Sequence, residues 1–190
     1  YAPVKVLLMQ VNLFQNELTD IIVQDVLIAG GKKQNQNAGS LSIKGLETKF
    51  DFVFSNSFSA FLNFTYQEGT QNNGTLESDI PNIAKIKGNA GISIYVAKLF
   101  SISLIENYVG ERSVPTTNPL GKVTEYFSTN LVFSTKKLFN ERVSASITIR
   151  NLFNQIYYDP GIRAADGSFY STVIDQPGIN GLFKISVSIF

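Results

Sequence analysis

The chain has 190 residues, of which 44% are hydrophobic and only 16% charged, and its formal net charge is +1. A soluble domain ordinarily carries about 25% charged residues, so this composition fits a protein that keeps one face away from water without hiding it in a core. Near-neutral charge excludes a basic stripe for nucleic acid. The absence of cysteine excludes disulfides and thiolate metal sites, and the absence of histidine removes the commonest general base and zinc ligand.

The opening Tyr1-Ala2-Pro3 has neither a Met nor a charged leader, which predicts a processed product or a fragment. No stretch approaches the roughly 18 apolar residues that a helical membrane span needs. From there the dominant period is two. The first apolar runs predict strands over 4–14 and 20–29, with a tight turn around Glu17–Thr19. A longer link over 30–38 follows, made of Gly30-Gly31-Lys32-Lys33-Gln34-Asn35-Gln36-Asn37, residues that favour turns and hydration.

The third predicted strand, 39–54, sets Glu47, Lys49 and Asp51 on the face opposite Phe50 and Phe52. After a short turn at Ser55-Asn56, the strand 57–69 alternates Phe58, Ala60, Leu62, Phe64 and Tyr66 with Ser59, Phe61, Asn63 and Thr65. A link over 70–83 leads to a strand at 84–98, a short turn at Ala97–Leu99, a strand at 100–112 and a link at 113–121. In 122–136, Phe127, Leu131 and Phe133 lie opposite Ser128, Asn130 and Ser134. A turn at Leu138–Glu141 precedes 142–154, where Val143, Ala145, Ile147 and Ile149 alternate with Ser144, Ser146, Thr148 and Arg150. The longest link, 155–178, leads to the last strand, 179–190.

These runs predict an all-β, antiparallel up-and-down meander of about nine long strands. Strands in soluble sheets are most often about 5–6 residues long, whereas a tilted membrane strand needs about 9–11. Short turns alternate with long links, as in outer-membrane barrels. The expected lipid-facing residues are Phe58, Leu62, Phe64, Ile92, Ile94, Phe100, Ile102, Leu104, Phe133, Ile147, Ile149, Ile185 and Val187.

Several segments resemble the C-terminal barrel of the TonB-dependent receptors. They are "VNLFQNELTDIIV" at 11–23, "NAGSLSIKGLETKF" at 37–50, "DIPNIAKIKGNAGISI" at 79–94, "IRNLFNQIYYDPG" at 149–161 and "QPGINGLFKISVSIF" at 176–190. The resemblance covers nearly the whole chain, in family order. It implies that 1–190 is part of a 22-stranded barrel domain in the bacterial cell outer membrane. The implied function is active uptake of siderophore-iron, cobalamin or a similar scarce nutrient, energised through TonB. The family's plug domain and energy-coupling segment lie N-terminal to the barrel, and neither is read in these residues. An odd count of nine strands likewise predicts a missing N-terminal part, since single-chain bacterial barrels have even counts. One departure concerns the terminal aromatic Phe190, the family's assembly signal. Ser188 and Ser186 stand where apolar residues are usual, so either a bulge shifts the register or Phe190 signals weakly.

The expected partners are outer-membrane lipid, a small nutrient ligand, the TonB complex through the missing plug, and the barrel-assembly machinery through the C-terminal strand. No nucleic acid, cofactor, metal or catalytic residue is expected, and no enzyme. Extracellular ligand-contact candidates are Lys32, Lys33, Arg112, Arg163, Asp166 and Tyr170, because cationic and aromatic loop residues suit anionic chelates. Glu47, Lys49, Asp51 and Arg150 are candidates to face the lumen and the plug, against plain solvation. Tyr66, Tyr157 and Tyr158 are candidates for an aromatic girdle, against ordinary strand propensity. Two alternatives remain: a complete small passive barrel of pore or adhesin type, and a soluble β-sandwich binder.

Overall fold

The computed structural model describes residues 5–27, 29–72, 77–97, 99–115, 118–138, 142–161 and 171–188. The strands in chain order are β1 (Val6–Leu27), β2 (Lys33–Ser55), β3 (Phe58–Asn72), β4 (Glu77–Asp79), β5 (Ile86–Val96) and β6 (Phe100–Val109). After them come β7 (Arg112–Ser113), β8 (Lys122–Val123), β9 (Tyr126–Lys137), β10 (Val143–Arg150), β11 (Tyr158–Pro160), β12 (Val173–Asp175) and β13 (Asn180–Val187). The main sheet runs β1-β2-β3-β5-β6-β9-β10-β13, every neighbouring pair antiparallel, and β4 adds briefly to β3. The short strands pair as β7 with β8 and β11 with β12, within the long links.

Alternation in the sequence becomes two chemically distinct faces because successive strand side chains point opposite ways. One cross-strand row reads Phe58, Ile94, Ile102, Phe133, Ile147 and Phe183. The row beside it, on the other face, reads Tyr95, Ser101, Ser134, Ser146 and Lys184. A slip of one residue would exchange the two sets, so the pattern pins the register. All the residues expected to face lipid share the first face.

Burial is inverted relative to a soluble sheet. Ile94 and Ile102 are 47% and 45% exposed, whereas Ser101, Ser103, Ser134 and Ser146 on the opposite face are half-buried. Among the described residues the buried hydrophobic ones are Ile80, Ala84, Val114 and Val123, and they belong to the links above the sheet, not to its interior. A sandwich would bury its apolar face under a second layer. Here that face is open, and the sandwich alternative has no support.

Two expectations are corrected. The segments 4–14 and 20–29 are one strand, β1, paired continuously along β2 from Val6↔Val53 to Leu27↔Lys33. The residues expected to turn the chain around Glu17–Thr19 are absorbed as register shifts between Thr19 and Ile22, and Asp20 takes a left-handed φ of 57°. A bulge of this kind bends and twists a strand without reversing it. Among the described residues the main sheet therefore has eight long strands, with the short β4 as its ninth member, and the argument from an odd count of long strands loses its premise. The link expected at 30–38 shrinks accordingly, with Gly30 and Gly31 at positive φ before β2 begins at Lys33.

Among the described residues β1 pairs only with β2, and β13 only with β10. The sheet is open, so it is not the complete small barrel of the other alternative. Through Ser188, whose N–H bonds to the Arg142 carbonyl at 2.8 Å, the β10–β13 register carries no bulge. Phe190 lies outside the described residues.

Candidate functional site

The polar face of the sheet carries one cross-strand row of Gln10, Lys49, Asn63, Asn89, Asn107 and Ser128. Its carboxamides link neighbouring strands: Asn63 Nδ2 donates to Asn89 Oδ1 at 2.8 Å, and Asn107 Nδ2 donates to the Ser128 carbonyl at 3.0 Å. Glu47 and Asp51 flank this row on the same face, and Lys49 Nζ pairs with Asp51 Oδ2 at 3.0 Å. A cleft of about 230 Å³ lies against Gln10, Asn12, Glu47, Lys49 and Asn63. Arg150 is on the same face, opposite Asn180, and lines a second cleft of about 300 Å³ with Asn130 and Tyr157.

The rim with the long links has its own framework, centred on Arg112. This residue was expected to meet a ligand, but it is only 4% exposed. Its Nη1 pairs with Asp159 Oδ1 at 2.5 Å, and its Nη2 donates to the carbonyls of Tyr158 at 2.7 Å and Thr124 at 3.3 Å. Its guanidinium also lies 5.3 Å from the Tyr126 ring centroid. The planar fork of arginine suits this arrangement, in which one side chain binds two other segments at once. Arg112 is thus a strut between links, and burial removes it from the ligand-contact set.

Two more ties join the same links. Tyr126 and Tyr157 stack with centroids 4.3 Å apart, and Asn118 Nδ2 donates to the Thr172 carbonyl at 2.9 Å. The Tyr157 contact corrects its expected role in the girdle. Tyr126 shares the face of Ser128, so Tyr157 sits on the polar side of the rim. Tyr158 belongs to the small β11–β12 hairpin above the sheet. Tyr66 does lie on the apolar face, level with Leu46 and Ile86, and its hydroxyl donates to Glu68.

The turn that ends β10 rests on two asparagines that the sequence reading did not single out. Asn151 is 2% exposed and has a φ of 51°. Its Nδ2 donates to the carbonyls of Gln155 and Pro177, and its Oδ1 accepts from the Gln155 N–H at 2.8 Å. Asn154, at φ 50°, accepts the Ile179 N–H at 2.9 Å. The signal that could have found them is the Asn-x-x-Asn spacing at a strand end, since asparagine tolerates left-handed backbone and bonds locally.

Of the remaining candidates, Lys32 is exposed at the tip of the β1–β2 hairpin, and Lys33 is the first residue of β2. Arg163, Asp166 and Tyr170 lie outside the described residues. Near this rim a cleft of about 340 Å³ is lined by Asp79, Lys85, Glu111, Lys122 and Glu125, among others. Lys122 Nζ donates to Glu111 Oε1 at 2.6 Å, and that hydrogen bond raises the pKa of the ammonium group. Among the described residues no cluster of three or more carboxylates is placed to hold a metal ion.

An open antiparallel sheet with an exposed apolar face, a hydrogen-bonded polar face and structured links on one rim is the wall of a transmembrane β-barrel. Residues 3–152 match the family model for the TonB-dependent receptor-like β-barrel, and the chain belongs to that family. Such barrels are proteins of the Gram-negative outer membrane. No curated protein matches the chain.

Solved structures agree on the fold. The ferric yersiniabactin uptake receptor FyuA of Yersinia pestis superposes with a TM-score of 0.74 at 15% identity, over 99% of this chain and 28% of that one. The FrpB iron transporter of Neisseria meningitidis gives 0.74 at 11% identity, over 96% and 29%. The ferric-catecholate import receptor Fiu of E. coli gives 0.67 at 15% identity, over 95% and 25%. The chain therefore spans between a quarter and a third of the length of these neighbours.

Proposed function

We propose that this chain is the C-terminal wall of an active-transport receptor that takes up a chelated metal or a similarly scarce nutrient, energised through TonB. The observation that carries the reading is the match of residues 3–152 to the receptor barrel. Structural neighbours described as receptors or transporters for iron, ferric chelates and copper lend it support. In this reading the apolar face meets lipid, and the polar face with Glu47, Lys49, Asp51 and Arg150 lines the lumen and meets a plug. The rim of long links faces outward to the ligand, with Lys32, Lys33, Arg163, Asp166 and Tyr170 as contacts. The C-terminal strand, with Phe190, engages the assembly machinery. The chain performs no catalysis.

The test is uptake of ferric chelates by cells producing the intact receptor, with and without functional TonB. Uptake that requires TonB is the expected result. Equal entry in TonB-deficient cells would overturn the reading in favour of a passive pore.

A further inference from the structure

On β6 one residue breaks the chemistry of the lipid-facing side. Across β5, β6 and β9 the register is regular, and it aligns Ala90, Glu106 and Thr129 in one row. Glu106 follows Phe100, Ile102 and Leu104 at every second position of β6, so it shares their outward face. Thr129 is only 8% exposed, and its Oγ1 donates to Glu106 Oε2 at 2.5 Å. Among the described residues Glu106 makes no ion pair.

The position is internal to the wall. β6 has β5 on one side and β9 on the other, so strands added at either open edge leave Glu106 where it is. Its depth follows from counting along the strands. Glu106 stands as far beyond Phe100, at the start of β6, as Phe64 stands beyond Phe58 at the start of β3. It is one outward position below Tyr108, which packs on Phe127 with centroids 4.8 Å apart, much as Phe64 is one below Tyr66. That is the level where headgroups meet acyl chains. Beside it Gly88 and Ala90, opposite Tyr108 and Glu106, present little or no side chain on β5.

An ionisable side chain in a membrane strand is a candidate functional site, even near the interface where its cost is small. A carboxylate only accepts hydrogen bonds when ionised, and Thr129 supplies one donor. We propose that Glu106 and Thr129, beside Gly88 and Ala90, form a binding site for an outer-membrane lipid that carries an N–H donor. The carboxylate complements an ammonium or amide hydrogen, and the flanking Leu104 and Leu131 take up its acyl chain. Ile92 and Leu104, exposed one outward position away, face acyl chains, which makes a lipid the occupant. The proposal rests on the wall's place in the membrane, and is independent of what the receptor transports.

The experiment uses the intact receptor in detergent micelles carrying equal amounts of phosphatidylethanolamine, which has N–H donors, and phosphatidylcholine, which has none. Native mass spectrometry reads the retained lipid. The wild type should retain the ethanolamine lipid about tenfold over the choline lipid, the scale of one charge-assisted hydrogen bond out of water. Glu106→Gln, which keeps the shape and removes the charge, should cut that preference, and Glu106→Leu with Thr129→Val should abolish it. Heat-modifiable gel mobility confirms folding of each variant. Equal retention of the two lipids by the wild type, or an unchanged preference in Glu106→Gln, would overturn the proposal. So would loss of a co-purifying polypeptide, and not of lipid, in the variants.

Discussion

Arg112 and Asp159 are 47 residues apart in the chain, yet their side chains meet at 2.5 Å. The contact joins the link between β6 and β9 to the link between β10 and β13. Around it the Tyr126–Tyr157 stack and the Asn118–Thr172 hydrogen bond repeat the same connection. Two loops that are separate in sequence are therefore one body at the mouth of the barrel.

Removing the Asp159 carboxylate should loosen that body without unfolding the wall. Arg112 keeps the Tyr158 and Thr124 carbonyls, and Asp159 is itself partly exposed, so the loss is about 1–2 kcal/mol and not the full cost of an orphaned buried charge. Asp159→Asn should raise the rate of limited proteolysis within 110–125 and 151–161 by about tenfold while leaving gel mobility unchanged. Unchanged cleavage would mean that the tyrosine pair and the remaining hydrogen bonds hold the loops without this ion pair.

The sheet was legible in the sequence because alternation is local: two-residue periodicity in 58–66 or 143–150 needs no knowledge of the partner strand. The same locality misled at 17–20. Glu17, Thr19 and Asp20 have turn chemistry, but pairing along the whole of β2 outweighs it and leaves only bulges. Phe61 is an apolar residue on the polar face. Its ring fills the space over Gly91, which has no side chain to oppose it. Arg112 read as a free loop cation because its partners, Asp159 and the Tyr158 carbonyl, come from a distant link that no periodicity connects to it.

Asn151 combines a strained backbone with three side-chain hydrogen bonds, and its replacements separate the two contributions. Asn151→Gly keeps the left-handed φ and loses the bonds, so it should cost about 2–3 kcal/mol. Asn151→Ala loses both and should cost about 1 kcal/mol more. Chemical unfolding of the intact receptor in lipid vesicles measures the difference. Equal stability of the two variants would assign the whole effect to the hydrogen bonds.

The two faces should differ sharply in their tolerance of charge. Ile102→Arg puts a guanidinium on the lipid side near mid-wall and should destabilise by about 2–4 kcal/mol. Ser103→Arg, its immediate neighbour, points to the polar face beside Ser93 and should cost less than about 1 kcal/mol. Equilibrium folding into vesicles compares the pair. Comparable losses would contradict the assignment of faces on which the barrel rests.

Glu47 tests whether the polar face does more than hold water. It lies between Asn12 and Thr65 in its row, and no ion pair ties it to the wall among the described residues. Glu47→Lys should therefore leave barrel stability within about 0.5 kcal/mol, as for other solvated substitutions. If a plug packs against this face, reversing the charge should slow uptake by the intact receptor by about tenfold, through a contact that only the filled lumen contains. Folding and uptake both at wild-type levels would reduce Glu47, with its neighbours Lys49 and Asp51, to solvated wall residues and leave plug recognition to the carboxamide row of Asn63, Asn89 and Asn107.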